Sequence, residues 1–202
     1  MAPQARCRGI LCMYHKEKVG SKHARELLEM LLRIYTPDSM RKCIPEELSE
    51  ICGLFPDICL IVSRGDIHEV RGISRRTVYM GRTVGIVIRG TPYPYPAFLQ
   101  SVYKCTGDIR AAIEAYPQGV RAFLYGNDIL VASVKRIYRG FRAGDIVGVI
   151  DSEDGSVIGI GRASMTPEDL EEALSRGEST RVAVKNIFDL GWFLRVLKPI
   201  EE

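Results

Sequence analysis

Eight residues, Lys135-Arg136-Ile137-Tyr138-Arg139-Gly140-Phe141-Arg142, hold four cations and two aromatic rings around one glycine. Such a stretch can meet phosphates with its charges and stack bases on its rings. It also describes a strand whose Ile137 and Phe141 face a core while the cations are solvated, and the two descriptions are compatible. Downstream, Arg181 and Lys185 flank Val182 and Val184. In a strand, period two puts both cations on one face, opposite the valines. Upstream, Arg71–Gly90 carries Arg71, Arg75, Arg76, Arg82 and Arg89 without one acid. That composition can release counterions from phosphate, or simply wet the outer face of an antiparallel strand.

Other chemistries find little support. His15, His23 and His68 are scattered, and no phosphate-cradling GxxxxGK[ST] occurs. Gly159-Ile160-Gly161 lies within an apolar run and no helix start follows it, so it reads as a closely packed strand, not a dinucleotide turn. Cys7, Cys12 and His15 could be read as three metal ligands, but no CxxC knuckle accompanies them. All six cysteines lie in the first half of the chain. Without an export signal a disulfide framework is not expected, except in a hyperthermophile, and Cys52 and Cys59 read as buried apolar thiols. The chain is expected to have no catalytic site, no metal and no cofactor.

The 202 residues are 46% hydrophobic and 26% charged, which excludes disordered and fibrous classes. No run of about 18 apolar residues occurs, so a membrane span is not expected and a cytoplasmic location is. The net charge is only +3, but it is unevenly laid out. Residues 1–118 hold 17 Lys and Arg against 12 Asp and Glu, whereas residues 119–202 hold 11 against 13.

Positioning these residues takes several elements. Ser21 can cap a helix to about Tyr35 that buries Ala24, Leu27, Leu28 and Leu31. Pro45 with Glu46 and Glu47 predicts a second helix, burying Leu48, Ile51, Cys52 and Phe55 and breaking near Gly53. Strands are predicted at Ile58–Ser63, Ile67–Arg71 and Thr77–Ile88, with Gly81 and Gly85 marking a bulge or a close approach. Helices are predicted at Ala97–Lys104 and Asp108–Ala115. Pro117-Gln118-Gly119 marks a boundary, dividing the chain into domains 1–118 and 119–202. Beyond it come a strand at Arg121–Tyr125, a short helix near Asp128–Ser133, and strands at Ile146–Ile150, Val157–Ser164 and Val182–Val184. A final helical turn falls within Asn186–Arg195. Thr166-Pro167-Glu168-Asp169 opens a capped helix burying Leu170, Ala173 and Leu174. The fold class is α+β: an α+β domain followed by a small, mostly β barrel.

At Phe123-Leu-Tyr-Gly-Asn-Asp-Ile-Leu130, Ala143-Gly-Asp-Ile-Val-Gly-Val-Ile150 and Val157-Ile-Gly-Ile-Gly-Arg162, the chain resembles a PUA domain. This small pseudo-barrel occurs in pseudouridine synthases, archaeosine transglycosylases and ribosome-assembly factors. The likeness covers about residues 119–198. The ending Val184-Lys-Asn-Ile-Phe-Asp-Leu-Gly-Trp-Phe-Leu-Arg195 is similar to one branch, the archaeal and eukaryotic pre-PUA plus PUA factors of large-subunit ribosome biogenesis. Tyr79-Met-Gly-Arg-Thr-Val-Gly85 is similar to a glycine-containing strand of that family's first domain. Ser133 departs from the pattern, standing where PUA domains usually have a glycine.

The resemblance implies an RNA-binding assembly factor without catalysis, with RNA, in particular rRNA, and pre-ribosomal proteins as partners and no membrane contact. It places RNA against about Leu130–Arg142 and the C-terminal strand. With the charge pattern, the expected RNA-binding residues are Lys135, Arg136, Arg139, Arg142, Arg181 and Lys185, and the acidic helix after Thr166 should turn Glu171 and Glu172 away. Two rivals stand beside this reading: an RNA-modifying enzyme or its targeting subunit, and a protein-interaction module built on the same barrel.

Overall fold

In the computed structural model, residues 21–35, 43–45, 47–55, 57–64 and 81–196 are described. Cys7, Cys12 and His15, the strand expected at Ile67–Arg71, the arginines at 71, 75 and 76, and Tyr79-Met80 lie outside them. The chain is α+β and divides into two compact units, residues 1–94 and 95–202. No helix among the described residues is long and apolar enough to cross a membrane.

In the first unit, Ser21 caps α1 (Lys22–Ile34) by accepting from the Ala24 N–H at 3.0 Å, and Ala24, Leu27, Leu28 and Leu31 are buried as the periodicity requires. The sheet runs in the order β1 (Leu48–Phe55), β2 (Ile58–Arg64), β3 (Gly81–Ile88), β4 (Thr91–Pro94), all antiparallel. Gly85 explains itself in this packing. A Cβ there would lie 2.5 Å from Leu27 and 2.8 Å from the Tyr93 carbonyl, so the glycine lets α1 and β4 close on β3. The β2–β3 register also shifts beside it, opposite Ile61 and Val62.

The helix expected after Pro45 is instead strand β1, paired Leu48↔Ser63 through Ile51↔Leu60. Apolar residues at 48, 51, 52 and 55 follow the helical i, i+3, i+4, i+7 spacing and not the period of two, so the local pattern points away from the strand. Tertiary pairing decides it, helped by Gly53 at φ 86°, a left-handed position that a helix interior cannot use. This hairpin brings Cys52 and Cys59 together as a disulfide, with Cα atoms 4.3 Å apart. The expectation of buried free thiols is therefore corrected: Cys52 is exposed and Cys59 half-buried.

The second unit is a curled six-stranded sheet in the order β6 (Ile129–Leu130), β10 (Val182–Asp189), β9 (Val157–Ala163), β8 (Ile146–Asp151), β5 (Ala112–Ala115), β7 (Val134–Tyr138). Its helices are α2 (Pro96–Thr106), α3 (Pro117–Leu124), α4 (Pro167–Ser175) and α5 (Trp192–Val196), with a 3-10 turn at Val131–Ser133. Two expectations reverse here. Asp108–Ala115 ends in strand β5, not a helix, because all four strand residues are buried and show no alternation. It pairs parallel with β8 and antiparallel with β7. Arg121–Leu124 belongs to helix α3, which Tyr125 caps; Pro117 starts it at its first turn, and Val120 and Phe123 are buried one turn apart. With β5 inside this sheet, the compact unit begins at Tyr95, and the boundary expected at residue 118 falls within the first turn of α3.

Helix α4 has the full capping box: Thr166 accepts from the Asp169 N–H at 3.1 Å, and the Asp169 carboxylate reaches back to Thr166. Leu170 and Ala173 are buried, but Leu174, expected inside, is 38% exposed. The two glycines of β9 are close-packing residues, as read from their setting. A Cβ on Gly159 would stand 2.5 Å from the Phe188 carbonyl, and one on Gly161 would overlap Val184 Cγ1 and the Lys185 backbone. Gly161→Ala should therefore destabilise the unit by about 1–3 kcal/mol, the usual cost of overpacking. A urea midpoint equal to wild type would show that β10 can retreat freely.

Candidate nucleic-acid interface

Strand β7 carries Lys135 and Arg136, adjacent residues that a regular strand would send to opposite faces. They reach the same carboxylate. The pairing steps from Glu114↔Arg136 to Ala115↔Val134, which leaves Lys135 as an extra, bulged residue. Lys135 Nζ then lies 3.1 Å from Glu114 Oε1 and Arg136 Nε 3.8 Å from Oε2, while the Tyr138 hydroxyl donates to Oε2 at 3.1 Å. The Arg136 guanidinium also sits 5.9 Å from the Tyr138 ring centre. Glu114 is 8% exposed. Burial alone would raise its carboxyl pKa, but the hydrogen bonds from Lys135 and Tyr138 and the charges of Lys135 and Arg136 outweigh that, holding it below the usual range.

A lowered folded pKa means the stabilisation is full above the unfolded value of about 4.3 and is lost as pH falls through the folded one. Glu114→Gln should cost about 1–2 kcal/mol at neutral pH, discounted because both cations are partly solvated. The gap to wild type should close below about pH 4. Chemical denaturation of both proteins across pH checks this, and a gap that persists in acid would contradict it.

The other expected residues fall into different settings. Arg139 spans to helix α4, with Glu168 at 2.7 Å and Glu171 at 2.8 Å. The acidic helix is thus a neighbour of the basic segment, not turned wholly away from it. Glu172 pairs with Arg176 at 2.6 Å. Arg181 precedes β10 and pairs with Glu178 at 2.9 Å. The expected shared face with Lys185 does not follow from period two, because the β10–β6 register shifts between Val182 and Val184, breaking the alternation between them. Four of the six expected cations therefore already meet carboxylates.

Arg142 and Lys185 do not; both are exposed, and no carboxylate ion pair to either is found among the described residues. A third cation that the charge pattern did not single out joins them. Arg162 on β9 stands directly across from Lys185 on β10, and its guanidinium donates to the Gly144 carbonyl at 2.7 Å. Gly144 lies in the turn opened by Arg142, whose N–H donates to Asp145 Oδ2 at 2.7 Å. Like charges placed opposite each other across two strands cost stability. Keeping Arg162 and Lys185 there with no carboxylate ion pair among the described residues makes this end of β8, β9 and β10 an anion-seeking surface. Sequence could not reveal this, because Arg162 is separated from Lys185 by a whole helix.

Ser133, the departure from the PUA pattern, is accommodated from the other side. A Cβ on Gly119 would lie 2.5 Å from the Ser133 Cβ, so the small residue stands on α3 instead. Elsewhere in the unit, a groove of about 440 Å³ runs between α3 and α5, lined by Leu124, Tyr125, Leu190 and Leu194 with Arg121 and Arg195 at its edges. Tyr125 is 78% and Leu194 83% exposed, an unusual display for such side chains.

Comparisons with known proteins agree with this architecture. The family model described as the UPF0113 PUA domain matches residues 111–198. Among solved structures, the chain is similar to a hypothetical protein of the hyperthermophilic archaeon Pyrococcus horikoshii, with TM-score 0.57 and 16% identity over 82% of this chain and 88% of that one. It is similar to a conserved PUA domain protein of Thermoplasma acidophilum, with TM-score 0.54 and 16% identity over 83% and 87%. A PUA domain protein of Aeropyrum pernix follows, with TM-score 0.52 and 22% identity over 88% and 87%. A comparison with curated protein sequences gives no significant match. The match begins at β5, ahead of the boundary expected at residue 118, and with the strand order it identifies residues 111–198 as a PUA domain.

Proposed function

We propose that this chain is a non-catalytic RNA-binding protein, an rRNA-binding ribosome-assembly factor, whose PUA domain meets phosphate through Arg142, Arg162 and Lys185. The observation that carries the reading is that Arg162 and Lys185 stand side by side on β9 and β10, with Arg162 bonded to the turn that Arg142 opens, and that none of the three has a carboxylate ion pair among the described residues. PUA domains are modules that generally bind RNA, which supports the choice of polyanion. Lys135, Arg136, Arg139 and Arg181 form a second rank. The exposed ion pairs of Arg139 and Arg181 are worth about 0–1 kcal/mol each, so phosphate can replace the carboxylate there at little cost, whereas Lys135 and Arg136 share the buried Glu114 and would meet phosphate while still paired to it. Pre-ribosomal proteins are proposed as further partners, since Tyr125 and Leu194 leave an apolar groove open beside the domain's last helix.

Binding to a structured RNA hairpin, followed by fluorescence anisotropy as salt rises, tests the first part. Three phosphate contacts should give a log–log slope of about −2 to −3. A flat response would remove RNA as the ligand. Sequencing of RNA crosslinked in cells tests the second part: large-subunit rRNA should dominate, and a spread over messenger or transfer RNA would rule out the assembly role. Unmodified bases after incubation with bulk RNA are expected, and a new modification would overturn the non-catalytic reading.

A further inference from the structure

The first unit holds a donor cluster that RNA binding does not use. Glu50 and Cys52 are two apart on β1 and so share a face. Cys59 faces Cys52 from β2, one step beyond the pair Ile51↔Leu60. Cys52 Sγ lies 3.8 Å from Glu50 Oε1, and one donor atom each from Glu50, Cys52 and Cys59 falls within 4.8 Å of the others. In a tetrahedral zinc site with bonds of about 2.0–2.3 Å, ligand atoms stand roughly 3.3–3.8 Å apart. The cluster is already near that span, and only the two bonded sulfurs have to part. From the first turn of α1, His23 Nδ1 sits 3.1 Å from both oxygens of Glu50. That is the outer partner that aims a ligating carboxylate.

We propose that Cys52, Cys59 and Glu50 form a thiol-gated site for a zinc-class divalent metal, with His23 as the positioning residue for Glu50. In the disulfide form the sulfurs are bonded to each other and the site is shut. A thiol reductant opens it by exchange: the S–S bond breaks, each cysteine sulfur gains a proton, and the reductant's two thiols leave as its own disulfide. Cys52 is exposed and Cys59 half-buried, so a small thiol can reach the bond. Metal binding then releases the two thiol protons to solvent, leaving two thiolates and one carboxylate as ligands and a fourth position for water. Two sulfurs with one oxygen favour zinc over magnesium or calcium, which take oxygen donors.

The test uses the full chain, reduced anaerobically with a phosphine, freed of reductant and titrated with Co2+. The expected result is a thiolate-to-cobalt charge-transfer band that Zn2+ bleaches, absent in the unreduced protein. Cys43 and Cys105 are also disulfide-bonded and open under the same treatment. The decisive comparison is therefore with C52S/C59S, which should bind one equivalent fewer. Equal stoichiometry in the two reduced proteins, or equal binding without reduction, overturns the site. Should the double variant lose its native circular dichroism, Glu50→Gln decides, because it leaves the hairpin sulfurs intact: weaker Co2+ binding supports the site and unchanged affinity defeats it. His23→Ala should weaken binding about 10–100-fold, and His23→Gln should recover part of that; identical affinity in all three would remove His23 from it.

Discussion

Asp189→Ala should lower the stability of the second unit by about 3 kcal/mol, toward the low end for breaking a buried ion pair. Asp189 is 1% exposed and accepts from Arg195 through both oxygens, at 3.1 and 2.7 Å. The Asn186 amide donates to the same carboxylate at 3.1 Å and to the Phe123 carbonyl at 2.9 Å, while the Asn186 N–H donates to Asp128 Oδ1 at 2.8 Å. Arg195 also donates to the Leu124 carbonyl at the end of α3. One carboxylate thus ties β10, α3 and α5 together. Its loss takes a charged acceptor from Asn186, which keeps the Phe123 and Asn127 carbonyls, and leaves Arg195 without its counterion, softened because the Arg195 side chain is 35% exposed.

Urea denaturation reads the loss as a shifted midpoint. The protein's single tryptophan gives a local report. Trp192 packs at 5.8 Å from the Phe188 ring and 5.3 Å from Phe193, so release of α5 should shift its emission to the red before global unfolding. Asp189→Asn separates charge from hydrogen bonding and should cost less. A midpoint within about 0.5 kcal/mol of wild type for Asp189→Ala would show that the tie carries no stability.

The largest effect on binding should come from Arg142→Glu with Lys185→Glu. Each substitution removes an attraction to phosphate and adds a repulsion, on the order of 1 kcal/mol apiece in high dielectric. Together they should weaken RNA binding by roughly 2–4 kcal/mol, or about thirty- to a thousandfold, and flatten the salt slope by about two. Both side chains are exposed and without ion pairs among the described residues, so the fold should be untouched. Lys135→Ala with Arg136→Ala should do less to binding, because those charges are already shared with Glu114. If that pair abolishes binding while the glutamate pair is silent, RNA lies against β7 and not against β8–β10.

Much of the chain was legible from residue order because the relevant forces are local. Ser21 and the spacing of Ala24, Leu27, Leu28 and Leu31 specify α1, and Thr166-Pro167 with Asp169 specify α4, since caps and one-sided burial act within a few residues. The PUA likeness rested on short segments around β6, β8 and β9 and held, with β5 added. Gly85, Gly159 and Gly161 were readable as close approaches, though not what approached them.

What sequence could not decide were the elements whose conformation depends on a distant partner. Leu48–Phe55 carries helical spacing, and pairing with β2 overrides it to make a strand. Ala112–Ala115 is uniformly buried between β7 and β8, so neither period shows. Charge followed the same rule. Composition located the basic segments, but only the bulge at Lys135 aims two neighbouring cations at Glu114, and only the β9–β10 register sets Arg162 beside Lys185. Which charges are already matched and which still seek an anion depends on separations of a few ångströms across the sheet. Coulomb energy falls with distance in space, not along the chain, and tertiary pairing alone sets that distance.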